Sequence, residues 1–314
     1  FNQKEIVMVR LIHSSATNLG LAIIIGACLC SKTTYSIDSQ NVTSVDRANL
    51  VTSQQPSPPL QNECRLPKED IERNANFIDD SANYAIYAIL SNNAYKREKQ
   101  EQFRLPAQEW RYRDDFIPEG TEVGLELKVF EKVMGGKPVE AVIAFRGTDD
   151  LKDWWQNLSP QFLFPEKRQT DLAEKNFERL RSMYEGQQVR YVATGHSLGG
   201  GLALHLSFKY PDVSAIVFNT SPRAEPGLSI AQGVNARIII WESNEALSYL
   251  RPLAKIRWGT VKEVKFDFQP GQLNIVKKHG MYALALGMLK LGCETSLPTA
   301  ASLKSLLAEN CQRH

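Results

Sequence analysis

The sequence predicts an α/β fold: a mostly parallel sheet with helices on both faces. Two observations carry this. Strand-like runs alternate with helical ones along roughly 200 residues, the pattern of strands joined by crossover helices. The composition of the 314-residue chain, 43% hydrophobic and 23% charged, supplies an ordinary globular core and argues against disordered, collagen-like and coiled-coil classes.

The elements read in order as follows. Residues 77–95 carry Ile78, Ala82, Ala85, Ile86, Ile89 and Leu90 at helical spacing. Residues 124–133 alternate through Leu125, Leu127 and Val129, and 139–145 form a β-rich run. Gly135-Gly136 lies between them and makes the pair a hairpin. Residues 171–184 place Leu172, Phe177, Leu180 and Met183 on one helical face. Strands follow at 188–193, 213–218, 236–241 and 261–268, with helices at 198–208 and 282–291. There is no internal repeat.

Charge narrows the partners. Lys and Arg number 37 against 35 Asp and Glu, a formal charge of +2. A phosphate-backbone binder needs a basic surplus, so nucleic acid is not an expected partner.

The N-terminal part reads as an address. Leu19-Gly20-Leu21-Ala22-Ile23-Ile24-Ile25-Gly26-Ala27-Cys28-Leu29 is apolar, uncharged and shorter than the roughly 20 residues that span a bilayer. Arg10 and His13 precede it and small residues follow, the layout of a signal peptide. Ile25-Gly26-Ala27-Cys28 resembles a bacterial lipobox, in which cleavage precedes a lipidated Cys; a buried N-terminal helix is the alternative. The expected organisation is a signal segment over 1–28, a polar tether over 29–68 containing Gln55-Pro56-Ser57-Pro58-Pro59, and one domain over 69–314. The product would be periplasmic, anchored as a lipoprotein, or secreted. Export implies paired thiols: Cys64, Cys293 and Cys311 allow at most one bridge, either Cys293–Cys311 or Cys64 with one of them, unless Cys30 joins. None has metal-ligand spacing with a second Cys or a His, so no structural zinc is expected.

The chemistry-bearing motif is Gly195-His196-Ser197-Leu198-Gly199. It matches G-x-S-x-G, in which Ser occupies a tight, strained strand-to-helix turn and larger residues two positions away would collide. Five residues alone recur by chance. Here a β-rich run (Val189, Tyr191, Val192) leads in and a helical run (Leu202, Ala203, Leu204, Leu206) leads out, which is the context the motif requires.

Three blocks, in order, resemble the class-3 or fungal-type lipases of the α/β-hydrolase fold, over about residues 75–290. They are Gly195-His196-Ser197-Leu198-Gly199-Gly200; Ala144-Phe145-Arg146-Gly147-Thr148 with Trp154 and Trp155; and Phe218-Asn219-Thr220-Ser221-Pro222-Arg223. The resemblance implies a serine hydrolase of lipid esters, similar to a triacylglycerol lipase. A phospholipase or acyltransferase acting on envelope lipid, or an inactive lipid-binding module, are the alternatives. No cofactor is implied.

A serine nucleophile needs a histidine base and a carboxylate behind it, here in the order Ser, acid, His. His13 lies in the address segment, His196 and His205 flank Ser197 in the elbow and its helix, and His314 is last. His279 remains, and the family resemblance points to it as well. For the acid, Glu242-Ser243-Asn244-Glu245 follows the strand ending at Trp241. Glu245 stands where the family usually carries Asp after Asn, one methylene longer; Glu242 and Asp267 are the other choices. One oxyanion donor is the backbone N–H of Leu198, directly after the nucleophile. The resemblance implies Thr148 as the other. It also implies that Trp154 and Trp155 belong to a lid that meets lipid at an interface or membrane surface; packing in the core is the bland alternative. Burying such aromatics against lipid is worth about 1.5–3 kcal/mol each.

Export has a direct readout. Mass spectrometry of the mature protein is expected to find residues 8–27 removed; a mature chain that retains them contradicts the address reading.

Overall fold

A computed structural model describes residues 64–96, 101–147, 167–221, 235–249 and 261–311. The elements are α1 (Lys68–Arg73), α2 (Ile78–Asn93), β1 (Trp110–Tyr112), β2 (Leu127–Met134), β3 (Lys137–Phe145), α3 (Lys167–Met183), β4 (Arg190–His196), α4 (Leu198–Lys209), β5 (Val213–Phe218), β6 (Arg237–Glu242), β7 (Lys262–Phe266), α5 (Ile275–Lys278), α6 (Met281–Gly292) and α7 (Ala300–Cys311). The signal segment and nearly all of the tether expected from the sequence lie outside the described residues.

The strands form one seven-stranded sheet in sequence order, β1 to β7. β1, β2 and β3 are antiparallel; from β3 to β7 every neighbour is parallel. The β2–β3 hairpin closes through Gly135 and Gly136, with φ of 57° and 78°. Two consecutive positive φ angles match the right-handed twist of the flanking strands and favour glycine. The α/β architecture expected from the sequence is present, in a form consistent with an α/β-hydrolase-type fold.

Strand alternation divides the core in two. Val142, Ala144, Val192, Ile216, Phe218, Ile238 and Ile240 face one side, where α2, α6 and α7 cover them. Ala141, Ile143, Phe145, Ala193, Ala215, Val217 and Ile239 face the other, under α3 and α4. Strands buried on both faces read as nearly continuous apolar runs, which is why Ile238-Ile239-Ile240 shows no polar alternation. Parallel pairing also brings the carboxyl ends of β4, β5 and β6 side by side, and ligands of open α/β sheets bind beyond such ends.

A polar grouping marks the opposite edge. Glu140 at the start of β3 is buried and accepts hydrogen bonds from Arg190 and from the Tyr87 hydroxyl. Those partners give the buried carboxylate hydrogen bonds in place of water.

Cys64 is disulfide-bonded to Cys311, and Cys293 is free and buried. This is one of the pairings the sequence left open. The bridge spans 247 residues and ties the N-terminal edge of the described domain to α7. Burial pushes the Cys293 thiol up to about 11, which leaves it a weak nucleophile. Closing so long a loop restricts the unfolded chain. Replacing Cys64 or Cys311 by Ser is therefore expected to lower the unfolding free energy by about 2–5 kcal/mol in denaturant titration; an unchanged midpoint and slope would refute a structural role.

Candidate active site

Ser197 sits between β4 and α4 with φ 56° and ψ −124°, a left-handed conformation that non-glycine residues rarely adopt. The neighbours show what enforces it. A Cβ on Gly195 would lie 2.5 Å from the carbonyl of Gly199, and one on Gly200 would lie 2.6 Å from Thr220 Oγ1. A Cβ on Gly199 would strike the Phe145 carbonyl oxygen. The strand and helix thus approach more closely than any side chain allows. Backbone bonds then hold the turn: Ser197 N–H donates to the Phe218 carbonyl at 3.1 Å, and Ser221 N–H donates to the Ser197 carbonyl at 3.0 Å.

Leu198 opens α4, so its N–H belongs to the first turn, whose donors have no partner within the helix. Across the sheet, β3 delivers Gly147 against the elbow. A Cβ there would meet the His196 carbonyl at 2.5 Å and Ser197 Cβ at 3.0 Å. Gly147 N–H donates to the Tyr95 hydroxyl at 3.1 Å, and Arg146 is ion-paired with Glu126 at 2.9 Å. The exit of β3 is therefore fixed beside Ser197. Thr148, Trp154 and Trp155 lie outside the described residues.

Glu245 and His279 are brought together. Both side chains have zero exposure, and His279 Nδ1 is hydrogen-bonded to Glu245 Oε2. The same carboxylate oxygen accepts the Leu247 N–H at 2.8 Å, and Oε1 accepts from Ser248 Oγ at 3.4 Å. Asn244 bends the chain after β6 with φ 56°, carrying Glu245 over the strand end. His279 caps the C-terminus of α5, whose N-terminus is capped by Asn274 accepting from Val276 and Lys277 N–H. Its Nε2 is buried and has no hydrogen-bond partner among the described residues. The His279 carbonyl lies 2.6 Å from His196 Nε2 and accepts from Asn219 Nδ2 at 3.1 Å. The two imidazole rings are 4.6 Å apart between centroids. His279 therefore lies directly against the residue that precedes Ser197.

The other carboxylates are engaged elsewhere. Asp212 pairs with Arg181 at 2.9 Å, and Asp267 sits 3.6 Å from Arg73. His205 is buried on α4 and bonded to Glu174 at 2.8 Å. Glu242 is fully buried at the end of β6, where its Oε1 accepts the N–H groups of Phe268 and Gln269 at 2.9 and 3.0 Å. It anchors the segment leading from β7 towards α5. The residues the sequence reading passed over are Tyr95 and Asn219. Asn219 has φ 41°, and its Oδ1 accepts the Glu242 N–H at 2.8 Å, so it links β6 to the His279 carbonyl. Only its place in the block after β5 hinted at this.

A seven-stranded α/β sheet with a strained serine elbow and a buried carboxylate–imidazole pair at its carboxyl edge has the layout of a hydrolase. A family model for a phospholipase-like protein, the Tle-like phospholipase domain, matches residues 86–231. The matched span holds Tyr95, the exit of β3, the elbow and Asn219. It supports a lipase or phospholipase relationship and lipid hydrolysis, without singling out the class-3 lipases. No curated protein and no solved structure gives a significant match to the chain.

Burial pushes the Glu242 carboxyl up to about 7 from an ordinary 4.5, against the two N–H groups and Lys278, which favour the charged form. Between those values the folded state holds a proton that the unfolded state has released. Stability therefore falls as pH rises through that window. Glu242→Gln is expected to flatten the decline in unfolding free energy across it; an unchanged slope would show that Glu242 does not titrate there.

Proposed function

We propose that the chain is a serine hydrolase that cleaves carboxylic esters of lipids through an acyl-enzyme. The observation that carries this reading is the buried Glu245–His279 pair packed beside the elbow, with His279 Nε2 unpartnered among the described residues. A carboxylate on Nδ1 keeps that nitrogen protonated and leaves Nε2 as the acceptor, which is the state a general base needs.

In this reading the Ser197 hydroxyl attacks the ester carbonyl carbon while its proton passes to His279 Nε2. Glu245 stabilises the imidazolium through Nδ1. The oxyanion is met by the Leu198 N–H at the start of α4, with the Thr148 N–H as second donor; Gly147 N–H is already committed to Tyr95. Each such donor is worth about 3–4 kcal/mol of barrier. Collapse breaks the ester C–O bond, and the leaving alkoxide takes the proton from His279. Water, deprotonated by His279, then attacks the acyl group and returns Ser197 and the free acid.

The phospholipase-like match favours phospholipid over triacylglycerol as the ester, with a class-3-type lipase as the second reading. Trp154 and Trp155 are assigned to lipid contact, and a site of action on envelope lipid accords with an exported, Cys28-anchored or secreted chain.

Ser197→Ala is expected to abolish both ester hydrolysis and labelling by a fluorophosphonate probe. Glu245→Gln should lower kcat by about 10³–10⁴-fold, as loss of the orienting carboxylate does elsewhere. Full rate in Glu245→Gln would move the acid to Glu242, and an unlabelled wild type would leave an inactive lipid-binding module. Short-chain phosphatidylcholine compared with tributyrin, each below and above its micellar threshold, decides between the two esters.

A further inference from the structure

The elbow residue before the nucleophile, His196, is bonded through both ring nitrogens. His196 is only 2% exposed. Its Nε2 lies 2.6 Å from the His279 carbonyl and its Nδ1 lies 2.7 Å from the Tyr95 hydroxyl. A carbonyl only accepts, so Nε2 carries the proton. In neutral imidazole Nδ1 is then the acceptor, and the Tyr95 hydroxyl donates to it. The Tyr95 oxygen in turn accepts the Gly147 N–H at 3.1 Å. Every donor in this run has an acceptor, and the polarity is the same from Gly147 through Tyr95 and His196 to His279.

We infer that His196 is a positioning residue: its neutral imidazole holds the main chain of His279 and, through Tyr95, the turn after β3, so that base and oxyanion donors keep a common register about Ser197. This rests on the reading of Ser197 and His279 as nucleophile and base. The geometry supports the role in two ways. The run joins the chain after α2, the exit of β3, the end of β4 and the C-terminus of α5. It also sets the two imidazoles 4.6 Å apart, a spacing at which a neutral His196 does not oppose the charge His279 takes on during turnover. Asn219 Nδ2 gives the same carbonyl its second donor at 3.1 Å, so the backbone of His279 is held from two strands.

Misplacement of a base by about 1 Å costs about 10²-fold in rate. His196 has no part in binding the ester, so the loss belongs to kcat and not to KM. The test uses the purified full chain, p-nitrophenyl butyrate as a soluble ester, and active sites counted by the endpoint of fluorophosphonate labelling. His196→Asn, whose amide is too short to reach the His279 carbonyl, is expected to lower kcat by about 10²-fold with KM within about twofold. His196→Gln places an amide N–H where Nε2 stood and should recover at least about tenfold of that loss. Tyr95→Phe removes the donor to Nδ1 and the acceptor for Gly147, and should lower kcat about tenfold.

A folded His196→Asn with wild-type kcat, a Gln variant no better than Asn, or a loss confined to KM would each overturn the inference. If His196→Asn fails to fold, Tyr95→Phe decides: a wild-type kcat there overturns it. Ser197→Ala is run alongside. Activity retained in that variant refutes the reading of the site itself, and a dead Ser197→Ala beside a normal His196→Asn refutes only the positioning role.

Discussion

The structure turns on one buried contact, that between Glu245 and His279. Neither side chain touches solvent. A carboxylate removed from water is costly unless hydrogen bonds replace its hydration. Here the replacements are the Leu247 N–H, the Ser248 hydroxyl and the imidazole. The contact fixes which nitrogen of His279 bears the proton, and so which one is left to accept another. Much of the surrounding fold can be understood as what keeps that pair in place. The Asn244 bend lifts Glu245 off β6, Asn274 and His279 close the two ends of α5, and α6 is anchored by Met281, Leu284, Ala285, Met288 and Leu289 in the core.

The second constraint is steric. β4 and α4 meet so closely that Gly195, Gly199 and Gly200 cannot carry a Cβ, and the strain is taken up at Ser197. Backbone strain of this kind costs on the order of 1–3 kcal/mol and persists only where the surroundings over-determine it. They do so here: the parallel register of β3, β4 and β5 sets Phe145, Gly195 and Val217 in line, and Phe218 and Ser221 bond directly to the Ser197 backbone. The same register places Gly147 against the elbow. A sheet whose strands stop together at one edge is thus the means by which distant segments reach a common point.

Sequence periodicity reveals the parts of this fold that obey it. The strands from 127 onward and the helices at 78–93, 167–183, 198–209 and 281–292 have apolar residues at spacings of two or 3.6, or unbroken β-branched runs. Four elements escape that reading, among them the four-residue helix Ile275–Lys278, too short to show a face. Trp110–Tyr112 is a three-residue edge strand, too short to show alternation. Lys68–Arg73 is almost wholly charged and sets only Ile71 against the core. Ala300–Cys311 did carry a signal, since Leu303, Leu306 and Leu307 share one helical face, but its other positions are polar. At the site, the motif and the order of residues single out Ser197, His279 and the Glu242–Glu245 stretch. Between the two glutamates the resemblance favours Glu245, since Asn244-Glu245 stands where the family carries Asn-Asp, and the bend that lifts it off β6 falls at Asn244, a residue type enriched at positive φ. The bonds of His196 were illegible for a different reason: its partners lie 101 residues before and 83 residues after it. Pairing across such separations is a product of the sheet order, not of local pattern.

The central claim is that Ser197 Oγ is made reactive by His279. Peptide mapping by mass spectrometry after timed exposure to a fluorophosphonate tests it most directly. The account predicts that the phosphonyl group resides on Ser197 and that it forms at least about 10³-fold more slowly in His279→Ala. An adduct on another residue, or equal rates in the two proteins, would contradict it.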